Sequence, residues 1–437
     1  MKKNIVMVIA DQLRADVLAS YGGTEVRTPN LDALAKEGVV FDNMYCQSPV
    51  CGPSRASMIS GRHVFQHRVT NNMRLLPRYE FSYAEALSQN GYTAAIVGKS
   101  HHYTNGFQAV PVPIRDSFEY GPDNHPPFGI SNFYASGTLE VVPSAYDQRV
   151  MNTACAFLED MSNMADPFMM NIGFLGPHNP YALPEPYASM YNPKEVLLPD
   201  DISEMDIPPM LQKRYDKYTW MKETDIRKAR AFYYGLITML DDCIGQLIQK
   251  LKDLGVYDNT LLIFTSDHGE MLGDRGLCEK FVPYEASVKV PCLIRGADFA
   301  GGRRVDALTE HIDLTATMLD YAGIEIPDRV SGKSLMGLLH GDCPHKEVVY
   351  SQITEWRMLR DKRYKLVIYT DGYGELYDME KDPHEITNLY SVGSVYKIRG
   401  DMEKKMLMHY INTVDHSNEM FPECLQKRGA FNNGIGN

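Results

Sequence analysis

Short apolar runs alternate with longer stretches of helical periodicity through most of the 437-residue chain. The runs have the length and the β-branched character of buried strands, and they are Asn4–Ala10, Thr93–Val97, Phe168–Phe174, Thr260–Thr265 and Pro291–Ile294. The helical stretches between them are Asn30–Glu37, Ser82–Gln89, Tyr146–Met161 and Asp225–Leu254. This alternation predicts an α/β fold in which a mostly parallel sheet is sandwiched by helices.

Two of the helices carry clear start and stop signals. Thr28 is a candidate N-cap, Pro29 suits the first helical position, and Gly38 suits the exit. The longest helical stretch is predicted to begin with Asp225 as its N-cap and to stop at Gly255.

The pattern changes after about residue 345. Short strand-like runs joined by tight polar turns, DGYG among them, precede a helical stretch at Tyr396–Tyr410. This predicts a catalytic α/β domain over 1–345 and a C-terminal subdomain over 346–437, built from a small antiparallel sheet and a helix.

The charge of the chain limits its partners. A formal net charge of −12 argues against nucleic acid or an anionic membrane surface, since both would be repelled at long range. A small anionic substrate would need a local cluster of positive groups.

The N-terminal apolar run bears on localisation. Ile5–Ala10 is short, is followed by polar residues and lacks a small-residue cleavage site, so it is interpreted as a buried strand rather than a signal peptide. Eight cysteines without CxxC spacing suit reduced thiols. A cytoplasmic protein is predicted, or a secreted one if a leader has been trimmed.

Polar side chains follow four of the predicted strands. Since ligands bind beyond the carboxyl ends of parallel strands, these residues are candidate site residues. They are Asp11 and Gln12 after the first strand, Lys99 and His101 after the second, His178 after the third, and Asp267 and His268 after the fourth.

Four of these residues form an oxygen-rich set with one imidazole: Asp11, Gln12, Asp267 and His268. Hard divalent cations prefer such oxygens, so calcium is the expected metal, with magnesium or manganese as alternatives. The absence of cysteine from this set argues against structural zinc.

Positive groups are available near the same strand ends, namely Arg55, Lys99 and Lys280, together with His101 and His178. Taken singly, an Asp after a strand is most often a helix cap, and a lone histidine is most often a core residue. That interpretation is kept for His63, His67, His102 and His125.

Cys51 lies in VCGPSRASMISGR, just before a helix predicted from about Ser54 to Ser60. A helix N-terminus favours negative charge on a nucleophile or a bound oxyanion, and Arg55 can bond to that anion. Three interpretations of Cys51 remain open from the residues: a buried structural thiol, a thiolate nucleophile, or a precursor whose sulfur is lost.

The chain resembles the sulfatase family. CGPSRASMISGR fits the family pattern C-x-P-S-R-x-x-x-[LI]-[TS]-G-R, and the likeness extends to ADQLRAD, VGKSHHY, GPHNPY, FTSDHGEMLGDRGLCEK and the late RDKRYKLVIY and GELYDMEKDPHEITNL. The resemblance implies an alkaline-phosphatase-like α/β sandwich, one divalent cation and a formylglycine made from Cys51 by a maturation enzyme.

The resemblance also implies roles for individual residues. Asp11, Gln12, Asp267 and His268 would hold the cation together with an oxygen of residue 51. Arg55 and Lys99 would stabilise the hydrated aldehyde, and His101 would act as base on its second hydroxyl. His178 and Lys280 would bind the sulfate, with His178 protonating the leaving oxygen. Gln12 and His268 stand where many members carry Asp and Asn.

Two other functions compete with hydrolysis of sugar, aryl or steroid sulfates. A phosphonate monoester or phosphodiester hydrolase is the enzymatic alternative, since related enzymes share the aldehyde and the Asp–Gln start of the metal site. A non-catalytic binder of sulfated ligands is the other. Seven residues that flank the site motifs or lie in the late strand-turn region are candidates for the pocket rim: His102, Tyr103, His125, Asn179, Tyr181, Trp356 and Arg357.

Overall fold

The structure is a computed structural model that describes residues 3–101, 107, 134–136, 143–199, 205–340 and 345–413. The strands in these residues are β1 Asn4–Ala10, β2 Val39–Tyr45, β3 Thr93–Gly98, β4 Tyr134–Ser136, β5 Phe168–Gly173, β6 Tyr181–Leu183, β7 Thr260–Ser266, β8 Lys289–Val290, β9 Cys292–Arg295, β10 Arg303–Glu310, β11 Val349–Gln352, β12 Trp356–Arg360, β13 Tyr364–Tyr369 and β14 Gly374–Asp378.

The helices in the same residues are α1 Pro29–Glu37, α2 Cys51–Ser60, α3 Val64–His67, α4 Tyr83–Gln89, α5 Pro143–Ser162, α6 Gln212–Tyr218, α7 Glu223–Asp253, α8 Glu285–Val288, α9 His311–Ala322, α10 Met336–His340 and α11 Tyr396–Thr413.

A large sheet with the strand order β10-β2-β9-β7-β1-β5-β3 forms the centre of the fold, and β8 pairs with β2. The four neighbours β7, β1, β5 and β3 are all parallel. Every residue of β1, β5 and β7 is buried, as expected for strands covered on both faces. The predicted mostly parallel sheet is confirmed, with β9 running antiparallel to both of its neighbours.

Helices cover the sheet in two groups. Helix α7 packs against α1 and α5, whereas α2, α4 and α9 pack against one another. Both α4 and α5 contact the edge strand β3, so the sheet lies between the two groups. The predicted sandwich is therefore confirmed.

Helix starts differ in detail from the sequence expectation. Thr28 does stand at the N-cap of α1, although its side chain makes no capping bond to the backbone. Asp225 is not the N-cap of α7, because the helix begins at Glu223 and Lys222 is the cap. The Asp225 carboxylate instead accepts the backbone N–H of Lys222 at 3.0 Å, which closes the first turn from inside.

The strands after residue 345 form a separate antiparallel sheet in the order β11-β12-β13-β14, with α11 packed on it. Met402 and Met406 of α11 lie against Tyr350, Leu366 and Leu376 of the sheet. The other face of the sheet, including Trp356 and Val367, joins the core of the large sheet. The division at residue 345 stays a prediction.

A buried charge network ties this small sheet to the rest of the protein. Lys365, which is 0% exposed, bonds to Glu285 at 3.1 Å and lies 2.6 Å from Glu385. Arg360 and Tyr45 also donate to Glu285, at 2.6 and 2.7 Å. Because a buried charge is costly unless it is paired, these contacts fix the position of the sheet.

Two further observations concern membrane spans and cysteines. In the described ranges, no helix combines the length and apolarity needed to cross a bilayer. Six cysteines lie in those ranges and all are free thiols, while Cys343 and Cys424 lie outside them. The cytoplasmic location stays a prediction.

Imidazoles and aromatic rings join α11 to the segment around α3. The ring of His409 stacks on Tyr350, and the edge of the same ring packs against His63, both with centroids 4.7 Å apart. Burial and the nearby Lys346 ammonium lower the pKa of His409 from 6.5 to about 4. Burial, with His409 and Lys346 nearby, likewise holds the pKa of His63 well below its usual value.

Acid should therefore weaken the docking of α11. The depressed pKa means that stability is fully present above pH 6.5 and is lost as the pH falls toward 4, by roughly 2–3 kcal/mol for His409 alone. We expect His409→Phe to show a smaller drop in the urea midpoint between pH 7 and pH 4.5 than the unmodified protein. His384→Phe, at an exposed position, is the matched control, and equal pH dependence in all three proteins would contradict the assignment.

Candidate active site

Four adjacent parallel strands bring the sequence-predicted residues to one edge of the sheet. Asp11 and Gln12 follow β1, Lys99 and His101 follow β3, His178 follows β5, and Asp267 and His268 follow β7. The ligating atoms of Asp11, Cys51, Asp267 and His268 all lie within 4.8 Å of one another. The side chains of Asp11, Asp267 and His268 are 0% exposed.

Two glycines allow the ends of β3 and β5 to approach closely. A Cβ on Gly98, which has φ +85°, would lie 2.1 Å from the Gly173 carbonyl oxygen. A Cβ on Gly173 would lie 2.1 Å from the Lys99 carbonyl oxygen. Larger residues would push the strands apart just where Lys99 turns into the site.

Cys51 is the first residue of α2, so the helix begins three residues earlier than the sequence predicts. Its Sγ lies 3.1 Å from His268 Nε2, 3.3 Å from Lys280 Nζ and 3.7 Å from Asp11 Oδ1. Burial alone would raise the pKa of this thiol, but Lys280, Lys99 and His268 outweigh burial and hold the pKa well below its usual value. The Cys51 thiol is thus surrounded by polar and charged groups.

Cations neutralise the two buried carboxylates. Arg55 Nε donates to Asp267 Oδ2 at 2.9 Å, and Arg55 Nη2 lies 3.6 Å from Asp11 Oδ2. Lys99 Nζ donates to the same Asp11 oxygen. Although burial and the neighbouring Cys51 raise the pKa of Asp11, the positive charges of Lys99, His178 and Lys280 bring it well below the usual range.

The Gln12 side chain is held at both ends. Its Oε1 accepts from Lys280 Nζ at 2.6 Å, and its Nε2 donates to Glu270 Oε2. The other Glu270 oxygen accepts the backbone N–H groups of Leu272 and Glu279 at 2.9 and 2.5 Å. Glu270 is 0% exposed, and it fixes which end of the Gln12 amide faces the site.

Several residues around the site adopt the left-handed backbone region without being glycine. They are Gln12 at φ +67°, His101 at φ +50°, Glu279 at φ +64° and Phe281 at φ +76°. Such conformations cost energy and persist where surrounding contacts impose them, commonly at functional sites. Here they flank Asp11, Lys99 and Lys280 and turn those side chains toward Cys51.

Two further predicted site histidines, His101 and His178, lie near this cluster. Burial lowers the pKa of His101, and the nearby Cys51 side chain opposes that shift. The His178 Nδ1 faces the Asn179 carbonyl oxygen, and His178 is close enough to Asp11 to help lower the pKa of that carboxyl. Both predicted positions are therefore near the cluster.

The loop that carries His178 is anchored by Asp147 of α5. The two carboxylate oxygens of Asp147 accept the backbone N–H groups of Leu175 and Gly176, each at 2.7 Å. Burial raises the pKa of Asp147 to about 7, despite these hydrogen bonds. The sequence offers no signal for this residue, because a single Asp inside a helical pattern is ordinarily a surface residue.

The donor atoms at this edge fit a divalent cation. Asp11 and Asp267 supply carboxylate oxygens, Gln12 an amide oxygen and His268 an imidazole nitrogen, all fully buried. Buried carboxylates in contact are normally costly, and a cation relieves that cost. Asp11, Asp267 and His268 therefore lie together as the sequence predicts, while their role as metal ligands stays a prediction.

The predicted pocket rim is partly wrong. Tyr181 and Trp356 are 1% and 0% exposed and pack in the core, with Trp356 Nε1 donating to the Phe281 carbonyl. Asn179 does lie at the site, where its Oδ1 is 3.4 Å from Gln12 Nε2. Arg357 donates to the carbonyls of Ile353 and Trp356. His102, Tyr103 and His125 lie outside the described residues.

Other histidines behave as ordinary buried residues. His67 Nε2 pairs with Ser57 Oγ at 2.8 Å, and His67 Nδ1 accepts the Val69 N–H at 3.1 Å. His63 belongs to the aromatic cluster at α11.

Sequence reasoning missed Glu270, although this residue lies in the SDHGE motif two residues after His268.

The sequence matches known families and proteins over most of its length. The family model described as Sulfatase matches residues 3–324, and the one described as N-sulphoglucosamine sulphohydrolase, C-terminal, matches residues 273–412. An arylsulfatase of Clostridium perfringens is 30% identical, over 93% of this chain and 94% of its own. A choline-sulfatase of Rhizobium meliloti is also 30% identical, over 89% of this chain and 82% of its own.

The fold matches solved structures as well. The phosphonate monoester hydrolase of Agrobacterium radiobacter superposes with a TM-score of 0.82 at 26% identity, covering 96% of this chain and 97% of that one. The predicted alkaline-phosphatase-like architecture is thereby confirmed.

Removing the charge of Asp147 should loosen the His178 loop. In Asp147→Asn, only one side-chain oxygen remains to accept from the two backbone N–H groups of Leu175 and Gly176, and the amide NH2 group faces the other N–H. Because one donor is then left without an acceptor, the free energy of unfolding should fall by about 1–3 kcal/mol. Urea unfolding at pH 7 measures this loss. Asp166→Asn, at an exposed position, should change stability by less than about 0.5 kcal/mol. Equal stability of the two variants would contradict the anchoring role.

Proposed function

The chain belongs to the sulfatase family and is a sulfuric ester hydrolase, and on this premise we propose that it cleaves sulfate esters with a formylglycine made from Cys51 and one divalent cation. The observation that carries the proposal is a buried cluster of four residues. In it, Cys51 Sγ and the ligating atoms of Asp11, Asp267 and His268 all lie within 4.8 Å of one another. The sulfatase family in general uses both a metal ion and a formylglycine, and this cluster offers a place for each.

The cation would be held by Asp11, Gln12, Asp267 and His268, with an oxygen of residue 51. Calcium is the proposed ion on the strength of the oxygen donors, with magnesium or manganese as alternatives. When bound, the metal would act as a Lewis acid and neutralise charge on the group being transferred.

Cys51 is proposed as a precursor that a formylglycine-generating maturation enzyme oxidises. The hydrated aldehyde would supply a hydroxyl nucleophile, with a second hydroxyl whose deprotonation releases sulfate. A thiol attacking sulfur would have no comparable internal exit. The low pKa of the Cys51 thiol also fits a thiolate nucleophile, so the chemical form of residue 51 is the decisive measurement.

The surrounding residues have separable tasks. Lys280 Nζ, 3.3 Å from Sγ, would bind a sulfate oxygen. Arg55 and Lys99 now contact Asp267 and Asp11. Their positive charges would also stabilise negative charge on the nucleophile. His101, which lies close enough to Cys51 for that side chain to influence its pKa, would accept the proton of the second hydroxyl. His178 would protonate the leaving oxygen.

Mass spectrometry tests the modification. The tryptic peptide Glu37–Arg55 contains Cys46 and Cys51, so a thiol-alkylating reagent counts its thiols. We expect denatured, alkylated peptide to carry one alkyl group, on Cys46, and an aldehyde at position 51. Two alkyl groups after co-expression with a maturation enzyme would contradict the proposal.

The matched substitutions test the role of residue 51 in turnover. Cys51→Ala should reduce hydrolysis of 4-nitrophenyl sulfate to background, because the nucleophile is gone. Cys46→Ala, a change at the neighbouring buried thiol, should keep activity while costing some stability. Full activity of Cys51→Ala would exclude the proposed chemistry.

Hydrolysis of phosphonate monoesters or phosphodiesters is the second candidate function. Gln12 favours it, because a neutral amide in place of a carboxylate makes the metal site less negative, and the structural likeness to a phosphonate monoester hydrolase points the same way. We expect kcat/KM for 4-nitrophenyl sulfate to exceed that for 4-nitrophenyl phenylphosphonate in the same preparation. A higher kcat/KM for the phosphonate ester than for the sulfate ester would show that phosphonate esters are the preferred substrates.

Glu270 should set the affinity for the cation. In Glu270→Gln, the side chain at position 270 no longer determines which end of the Gln12 amide faces the site. The affinity for the metal should therefore fall by about 10–100-fold. Calorimetric titration of the apoprotein with Ca2+ or Mn2+ measures this without reference to turnover. Glu325→Gln, at an exposed position, is the control. An unchanged dissociation constant in Glu270→Gln would show that Gln12 is not oriented by this carboxylate.

A further inference from the structure

The peptide group between Leu175 and Gly176 is hydrogen-bonded at both ends. Its N–H donates to Asp147 Oδ2 at 2.7 Å, and its carbonyl oxygen accepts the backbone N–H of His178 at 3.0 Å. Asp147 Oδ1 accepts the preceding N–H, that of Leu175, also at 2.7 Å. One carboxylate of α5 is therefore connected to the His178 backbone through a single peptide group.

The same turn also contacts the neighbouring strand end. The Gly176 carbonyl oxygen accepts the backbone N–H of Asp11 at 3.2 Å. Asp11 follows β1 and His178 follows β5, and these two strands pair in parallel. A shift of the turn that Asp147 holds would therefore change the position of His178 relative to Asp11.

Close packing makes the contact specific. Asp147 is 0% exposed, and a Cβ on Gly176 would lie 2.7 Å from Asp147 Oδ2. The lack of a side chain at position 176 thus lets the carboxylate reach both N–H groups. Because the carboxylate is buried, a hydrogen bond lost here is not replaced by one to solvent.

The ring of His178 has a partner of its own. Its Nδ1 faces the Asn179 carbonyl oxygen, and since a carbonyl oxygen only accepts, Nδ1 carries a proton. The other nitrogen, Nε2, is then the one that can exchange a proton with a leaving oxygen. A general acid must lie within hydrogen-bond distance of that oxygen, and a displacement of about 1 Å can cost on the order of 100-fold in rate.

We propose that Asp147 is a positioning residue for protonation of the leaving group, because it holds the turn that places His178 relative to Asp11. The inference rests on the sulfate-ester hydrolysis proposed above. In that reaction sulfur bonds to an oxygen of residue 51, the electron pair of the ester S–O bond goes to the leaving oxygen, and His178 Nε2 gives this oxygen a proton. Asp147 exchanges no proton in the step and does not touch the substrate.

Two aryl sulfates with different leaving groups test the proposal. Phenoxide is more basic than 4-nitrophenoxide, so phenyl sulfate depends more strongly on protonation of its leaving oxygen. The kcat/KM values for both esters are measured at pH 8 in protein shown to carry the aldehyde. We expect the ratio of 4-nitrophenyl to phenyl kcat/KM to rise by about 10-fold in Asp147→Asn, since a displaced His178 slows the phenyl ester more.

Asp241→Asn is the matched control. Asp241 is also 0% exposed, and its carboxylate accepts two consecutive backbone N–H groups, those of Asn30 at 3.0 Å and Leu31 at 2.8 Å. Burial raises the pKa of Asp241 to about 6 and that of Asp147 to about 7, so both carboxylates are mainly ionised at pH 8. Asn30 and Leu31 belong to α1, which carries none of the predicted site residues, so this variant should lose stability without a change in the ratio.

Two further variants show whether Asp147 acts through His178. Gly176→Ala pushes the Asp147 carboxylate away from the turn and should raise the ratio as well, which keeps the test decisive even where Asp147→Asn does not fold. In His178→Ala the ratio should already be high. Adding Asp147→Asn to that variant should raise it no further, because the group that is positioned has been removed.

The outcomes separate this inference from the function on which it rests. The inference is overturned, while sulfate-ester hydrolysis stands, by an unchanged ratio in Asp147→Asn and Gly176→Ala, by an equal rise in Asp241→Asn, or by a further rise in the double variant. If aldehyde-bearing enzyme without these substitutions hydrolyses neither ester, the proposed function itself is wrong. A rise in Asp147→Asn and Gly176→Ala that is absent from Asp241→Asn and from the His178→Ala background supports both.

Discussion

Two carboxylates, Asp11 and Asp267, are completely buried within a few ångströms of each other, and the arrangement around them follows from that fact. Isolated buried charges are too costly to persist, so each must be matched by positive charge. Arg55 bonds to Asp267 and approaches Asp11, and Lys99 bonds to Asp11. The positive side chains that stabilise the buried carboxylates are the same groups that an anionic ester would contact. An acidic chain could in this way bind an anion at one local positive site.

Much of the fold could be predicted because buried parallel strands leave an unmistakable signature. The apolar runs ending at Ala10 and Ser266 are short and continuous, and polar residues follow them directly. Periodicity could not reveal which strands are neighbours, or that β9 runs antiparallel between β7 and β2, since these depend on contacts between distant segments. Strand β10 was missed because its first residues are charged and exposed.

The candidate site residues could be predicted to lie together because the carboxyl ends of parallel strands meet at one edge of the sheet. Their partners were harder to find. Asp147 acts through backbone N–H groups 28 and 29 residues away, and no local pattern announces such a contact. The sequence places Tyr181 at the rim because it flanks a site motif, and Trp356 because it lies in the late strand-turn region, yet large aromatic side chains gain more by burial in the core.

The pairing of Gln12 with Glu270 has a consequence for how sequences of this kind can diverge. A carboxylate at position 12 would place a second acid against the buried Glu270 side chain, which now accepts a hydrogen bond from Gln12 Nε2. An exchange at position 12 alone would therefore be selected against, and the two positions should change together across an alignment: glutamine with glutamate, or an acid with a neutral partner. The residue at position 270, which does not contact the substrate, would then indicate which residue type its protein carries at position 12 of the metal site.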